Sequence, residues 1–418
     1  MNPESGLKAD VTNDALKVTI RLPPSPAFAI TPSVHKLALK LTLPNRESGF
    51  SFLSRNIAGQ DDRFRNVFGV LEKAIAARAF PCCSLAVTFR GELVAQKPLG
   101  RITYDPASME VTTSHIFDLA SVTKVVATTA MAMILYERGL LDLEAPVSAI
   151  VPEFVELAEG DGDRRQQVTL RTLLAHSSGL PAYERLFRRA PTREDLLRAA
   201  FATPLTAMPG ARAEYSDIGF IILGVVLERL ADETLDSFCQ REVFGPLGMS
   251  HTTFNPAKTL KDSIPPTADD RTFRQRIIQG EVQDENASVL GGVAGHAGLF
   301  STPEDLAIFA HAVLSGGHPI LRSSTIEFFS RREFAPAGTS RALGWDTPST
   351  PSQSGKYFSL RSFGHLGYTG TSLWIDPEQQ VSVTLLTNRT WPDCQNDAIK
   401  QVRPAFHDAV IEALGRHA

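Results

Sequence analysis

The hydrophobic patterning of the chain changes near Asp62. Before it, "LPPSPAFAITPS" and "LPNRESG" place apolar residues at no sustained period, and residues 1–61 are expected to form a poorly ordered or loosely packed extension. From 62 to 418 the pattern becomes regular, as expected of one domain. In "FRNVFGVLEKAIAARAF" the residues Phe64, Val67, Phe68, Val70, Leu71 and Ile75 recur at helical spacing, which predicts an amphipathic helix. "SLAVTFRGELVAQKPLG" predicts two strands joined at Arg90-Gly91. A second strand pair is predicted in "TSLWIDPEQQVSVTLLTN", turning at "DPEQQ", and a closing helix in "DAIKQVRPAFHDAVIEALGRHA". Strands near both ends with a mostly helical middle predict an α+β fold. One antiparallel sheet, flanked by helices and closed by both termini of the domain, would carry an inserted helical subdomain over about 125–290. "DGDRRQQ" and "TFRQRIIQGEVQDENAS" read as polar, loop-like connections.

Composition narrows the function classes. The chain of 418 residues is 43% hydrophobic and 21% charged, ample for a core, with a net charge of -4 and a pI of about 6.2. That balance argues against a nucleic-acid partner, which requires a basic face. No segment approaches the roughly 20 apolar residues of a membrane span; "VVATTAMAMILY" is too short. The N-terminus lacks the basic start and apolar run of a signal peptide, so the chain as written is expected in the cytoplasm. A start placed elsewhere would allow a periplasmic or secreted protein. Cys82, Cys83, Cys239 and Cys394 show no metal-ligand spacing and are expected to be buried free thiols. No H-E-x-x-H occurs, and no metal or other cofactor is expected. Oligomeric state is not legible.

The chemistry centres on "FDLASVTKVVATTAMAMILYERG" (117–139). S-x-x-K occurs three times, at Ser5/Lys8, Ser33/Lys36 and Ser121/Lys124, but only the last opens an apolar helix, of about five turns. In a first helical turn the Ser121 backbone N–H has no partner within the helix and is free to bind a developing oxyanion. Lys124 lies on the same face, one turn deeper, where lost solvation would lower its pKa and make it a base. A capping serine with a surface lysine is the plain alternative. "AEYSDIGFIILGVVLERL" adds Tyr215, the only one of six tyrosines with Asn or Asp two residues later. Beside a lysine such a phenol could be held as a partial phenolate and relay the serine proton; a core tyrosine beside a capping residue is the alternative. "FGHLGYTGTSLWIDP" supplies a glycine-rich strand edge at which backbone can approach a substrate.

In order, Ser121-Val122-Thr123-Lys124, Tyr215-Ser216-Asp217 and His365-Leu366-Gly367 resemble the S-x-x-K, Y-x-N and K-T-G elements of the serine β-lactamase and penicillin-binding-protein superfamily. The chain looks like the class C-like branch, which includes family VIII carboxylesterases, D-aminopeptidases and DD-peptidases. The resemblance spans about 65–415 and takes in "TLRTLLAHSSGLP" and "DENASVLGGVAGHAGLFSTPEDLA". It implies acylation of Ser121, Lys124 in the base, Tyr215 handling the proton, and an oxyanion hole from the N–H groups of Ser121 and Tyr368. Substrate contacts are implied for Asp217, His365, Gly367 and Asn388, with Arg389 nearby. Asp217 replaces the usual Asn and points either to Lys124 or to altered substrate contacts. His365-Leu366 removes a cation and a hydroxyl, which suits an uncharged ester or amide. His296 reads as part of a glycine-rich site wall, followed by a helix capped by Thr302 with Pro303 at its first position.

The expected activity is hydrolysis of a carboxylic ester or of a D-amino-acid amide, including peptidoglycan-like peptides. A β-lactamase and a non-hydrolytic penicillin-recognising sensor or scaffold are the alternatives. The absence of G-x-S-x-G and of S-D-N followed by K-T-G argues against a classical lipase and a class A lactamase.

Overall fold

In a computed structural model, the structure is described for residues 53–158 and 160–415. Most of the extension expected over 1–61, with Ser5/Lys8 and Ser33/Lys36, lies outside the described residues. The chain enters through a two-residue strand, β1 (Ser54–Arg55), and the predicted helix α1 (Arg65–Ala76). The predicted hairpin follows as β2 (Cys82–Phe89) and β3 (Glu92–Gly100). Arg90 and Gly91 both take positive φ, 49° and 84°, the geometry that matches a two-residue turn to the twist of its strands.

Next come β4 (Phe117–Asp118), a tight turn at Ala120–Val122, a wide π-helical stretch at Lys124–Thr129, and α2 (Ala130–Glu137). This is the predicted five-turn helix, with its first turns distorted, as is common where a helix serves a site. It is apolar on nearly all sides and correspondingly buried. Helices α3 (Leu170–Leu174) and α4 (Asp217–Ala231) pack nearby, and Ser216 caps α4 by accepting the Gly219 N–H at 3.0 Å. Strand β5 (Thr253–Phe254), helix α5 (Glu285–Val289) and strand β6 (Leu299–Ser301) precede α6 (Pro303–Leu314). As predicted, Thr302 caps α6 and Pro303 opens it.

The chain closes with β7 (Phe363–Leu366), β8 (Ser372–Asp376), β9 (Val381–Thr387) and α7 (Ile399–Leu414). The main sheet runs β1-β3-β2-β9-β8-β7, antiparallel except for the β1–β3 pairing. Val381 opposite Phe89 and Thr387 opposite Cys83 set the register that joins early and late strands. On one face, Val67 and Leu71 of α1 and Phe406 and Val410 of α7 enclose Leu85, Val87, Val383 and Leu385. On the other, Leu306 and Phe309 of α6 join the larger core that contains α2 and α4. A small sheet, β4-β6-β5, sits immediately before Ser121.

Three expectations are corrected. "DGDRRQQ" is not all loop, because Gly162–Arg165 forms one helical turn. "TFRQRIIQGEVQDENAS" is not all loop, because Arg276–Ile278 pairs with Ala268–Asp270 in a short ribbon. Three buried cysteines are free thiols, but Cys394 is exposed, in the polar loop after β9. Among the described residues no helix is long and apolar enough to cross a membrane.

Close backbone contact fixes α4 against the chain near His296. A Cβ on Gly295 would run into the Phe220 carbonyl and meet Gly224 at 3.0 Å. Gly295→Ala is therefore expected to lower stability by about 1–3 kcal/mol, read from urea melts.

Candidate active site

Ser121 stands at a junction of four segments. Ahead of it, Ala120 is held in the left-handed region at φ 46°, and its N–H donates to Asp118 Oδ1 at 2.8 Å. Lys124, one turn on, is 0% exposed. Its ammonium donates to Ser121 Oγ at 2.9 Å, to Asp217 Oδ1 at 2.6 Å and to the His296 carbonyl at 2.9 Å. Those three bonds use all three of its protons. Burial pulls the Lys124 pKa below the usual lysine range, and Asp217 opposes that shift.

Tyr215, just before α4, donates its hydroxyl to Ser121 Oγ at 2.7 Å. Its expected partial-phenolate state is corrected. Burial, reinforced by Asp217, holds the phenol protonated well above the usual tyrosine range. The lysine lies over the ring, 4.9 Å from its centroid, and both groups hydrogen-bond Ser121 Oγ. Asp217, at the start of α4, takes the charge-partner alternative by binding Lys124.

His365 in β7 lies 5.8 Å, ring to ring, from Tyr215. Its Nδ1 bonds the Leu366 carbonyl at 2.8 Å, so Nδ1 carries the proton. Burial, then the nearby Lys124 and Arg341 charges, push its pKa well below the usual histidine value and keep it neutral. The Gly367–Thr371 turn is stitched to the nucleophile segment. Thr369 Oγ1 donates to the Asp118 carbonyl at 2.8 Å and Thr371 Oγ1 to the Leu119 carbonyl at 2.9 Å. From α7, Arg403 donates to the carbonyls of Gly367, Thr371 and Gly370 at 2.5, 3.0 and 3.3 Å. A side chain on Gly367 would collide with Thr371 and with the Leu119 carbonyl. Tyr368 is 50% exposed, and its carbonyl accepts from Arg389 Nε at 2.7 Å.

Ser121, Tyr215, Asp217, His365, Gly367 and Tyr368 all line one cavity of about 830 Å³. Asn388 does not, which corrects its expected substrate contact. It is 1% exposed, with Nδ2 bound to the Ile102 and Pro266 carbonyls and Oδ1 accepting from Cys82. Arg389 does reach the cavity.

Two site residues were missed in the sequence. His176, at φ 54° after α3, accepts the Ser216 N–H on Nδ1 at 3.0 Å and packs between Tyr215 and Phe220 at 4.7 and 4.9 Å. Burial, with Arg341 and Lys124 adding, keeps it neutral. Its only signal was its place in "AHSSGLP". Arg341 lines the cavity 5.4 Å from the Tyr215 ring, with Asp346 at 3.6 Å. Among the described residues, no three His, Cys, Asp or Glu side chains gather as a metal site.

The beta-lactamase family model matches residues 67–404, which cover the nucleophile segment, the sheet strands from β2 to β9 and the start of α7. The chain belongs to the beta-lactamase family. An N-acetylmuramyl-L-alanine amidase of Bacillus subtilis (strain 168) is 31% identical over 367 residues, covering 78% of this chain and 81% of that one. A putative D-alanyl-D-alanine carboxypeptidase of Salmonella agona (strain SL483) is 30% identical over 346 residues, covering 74% and 79%. The solved structure of EstCE1, titled a hydrolase with promiscuous acyltransferase activity, superposes with a TM-score of 0.68 at 22% identity, covering 83% and 99%. This member of the beta-lactamase family is thus a hydrolase-type enzyme, with the family's sheet flanked by helices.

Proposed function

We propose that the protein is a serine hydrolase that forms an acyl-enzyme on Ser121 and acts on a carboxylic ester or a D-amino-acid amide or peptide. The observation that carries this is the convergence of Lys124 Nζ and the Tyr215 hydroxyl on Ser121 Oγ, at 2.9 and 2.7 Å, beside the cavity.

The protonation states order the steps. Burial lowers the Lys124 pKa and so eases the loss of its proton, whereas burial raises that of Tyr215 and keeps it a phenol. The ammonium first passes a proton to Asp217 Oδ1, 2.6 Å away, a transfer that an Asn there would not accept. The freed amine takes the Ser121 proton as Oγ attacks the substrate carbonyl carbon. Negative charge moves to the carbonyl oxygen, toward the N–H groups of Ser121 and Tyr368. Tyr215 then donates its proton to the departing alkoxide or amine and takes back the one held by Asp217, which restores the Lys124 ammonium–Asp217 carboxylate pair. Water attacks the acyl-enzyme by the reverse route, releasing the acid and restoring Ser121.

Neutral His365 and the hydroxyl-free Leu366 favour an uncharged group at the strand edge. Arg341 in the cavity supports a second reading, a peptide with a free carboxylate. A parallel screen on p-nitrophenyl esters, D-alanyl peptides and a chromogenic cephalosporin separates these readings. Stoichiometric labelling by a fluorophosphonate or β-lactam, without turnover of any of them, would favour a sensor and overturn the hydrolase assignment. Tyr215→Phe is expected to reduce kcat by about 10²- to 10⁴-fold with little change in KM, measured on the best substrate of that screen.

A further inference from the structure

Asp118 is not part of the cavity lining, yet its side chain governs the residue next to Ser121. It is 2% exposed, and its two oxygens accept different backbone N–H groups, Ala120 at 2.8 Å and Gln283 at 2.6 Å. Ala120 is an alanine at φ 46°, a conformation that a residue with a Cβ holds only where its surroundings impose it. Gln283 leads into Asp284, which pairs with His296 Nε2 at 2.9 Å, and the His296 carbonyl accepts from Lys124. One carboxylate therefore joins the turn that presents Ser121 to the segment that holds Lys124. Arg274 supports that segment from its other side, donating to the Val282 and Gln283 carbonyls at 2.7 Å each while paired with Asp270.

We propose that Asp118 is a positioning residue, whose ionised carboxylate clamps Ala120 in the left-handed conformation, sets the Ser121 hydroxyl, and makes turnover depend on its own ionisation. The inference rests on the Ser121 reading above and adds a control to that site.

Burial pushes the Asp118 carboxyl up to about 6; the Ala120 and Gln283 N–H bonds oppose it, Asp284 adds to it and Arg274 opposes it. Strand β6 brings Phe300 opposite Asp118, and the turn after β7 brings Thr369, neither titratable. As pH falls through about 6 one carboxylate oxygen becomes an O–H, and the group no longer accepts both N–H bonds. The effect on stability has the opposite sign. A carboxyl raised in the folded state binds its proton more tightly there than in the unfolded chain, so its contribution is largest at low pH and is lost as pH rises through about 6. The clamp thus opens on acidification while this group makes the fold no less stable.

The test is the rate of fluorophosphonate labelling of Ser121 in the full chain from about pH 5 to about pH 8, with a melting temperature at each pH. Wild type should lose rate about tenfold per unit below an inflection near 6 while remaining folded at every pH, its melting temperature falling on acidification through buried, neutral histidines such as His176 and His365 and by no more than in Asp118→Asn. Asp118→Asn should be slower by roughly tenfold to a hundredfold at neutral pH and lack the inflection. Adding Ala120→Gly should recover most of that loss, because glycine takes positive φ unaided. An inflection retained in Asp118→Asn, or no recovery in the double variant, overturns the clamp. If Asp118→Asn does not fold, Ala120→Gly alone decides, since it should shrink the inflection and an unchanged one overturns the proposal. A wild-type chain that takes no label on Ser121 at any pH overturns the parent reading, and this inference with it.

Discussion

Ser121→Ala is expected to abolish covalent labelling and to lower kcat by on the order of 10⁴- to 10⁶-fold on any ester or amide that the protein turns over. The size follows from the site's economy of parts. Lys124 and Tyr215 both act on Ser121 Oγ, so removing that atom leaves a base and an acid with no nucleophile between them. The fold should hardly notice. Ser121 borders the cavity rather than the packed core, and Lys124 keeps its bonds to Asp217 and to the His296 carbonyl. Intact-mass measurement after probe treatment, paired with a thermal melt, checks both halves. A variant that is still labelled would move the nucleophile elsewhere.

The second large effect is expected at Lys124, and it concerns stability as much as rate. Lys124→Met should reduce turnover to the level of Ser121→Ala, since no other amine reaches Oγ among the described residues. It also strips Asp217 of its cation, and breaking a buried pair from one side costs about 3–5 kcal/mol. The Asp217 side chain is 17% exposed, which brings the expected loss down to about 1–3 kcal/mol. Asp217→Asn added to Lys124→Met should restore much of that stability and none of the activity. Urea melts of the two variants, with kcat measured in parallel, separate the contributions. Recovery of turnover in the double variant would exclude Lys124 from the base system.

What the sequence could and could not reveal follows from how each contact is encoded. The Arg90-Gly91 turn, the Thr302-Pro303 helix start and the two late strands announce themselves, because their causes are local to a few residues. That Ser121, Lys124, Tyr215 and His365 come together was legible through their types, order and spacing. The third partner of Lys124 was not, because it is a backbone carbonyl 172 residues away, and a carbonyl carries no residue identity. Asn388 misled for the converse reason. Its type suits a substrate contact, but the Ile102 and Pro266 carbonyls that claim it come from distant segments. Tyr215 shows the same limit in electrostatics. Sequence named its charged neighbours, whereas the depth of burial that keeps it a phenol is a property of the assembled layers. The Ala268–Asp270 ribbon escaped because its three-residue strands are too short and polar to alternate visibly.

The hydroxyls of Thr369 and Thr371 bind the turn after β7 to the carbonyls of Asp118 and Leu119. Ser121 and the Tyr368 backbone consequently share one mechanical mount, whereas Tyr215 is delivered by a different layer, at the head of α4. Thermal sliding between the layers would stretch the 2.7 Å path from phenol to Ser121 Oγ while leaving the spacing on the shared mount unchanged. Under the proposed mechanism, warming should therefore disturb proton delivery before it disturbs the grip on the carbonyl oxygen. The signature would be a solvent isotope effect on kcat that grows with temperature while the affinity of a boronate transition-state mimic holds steady.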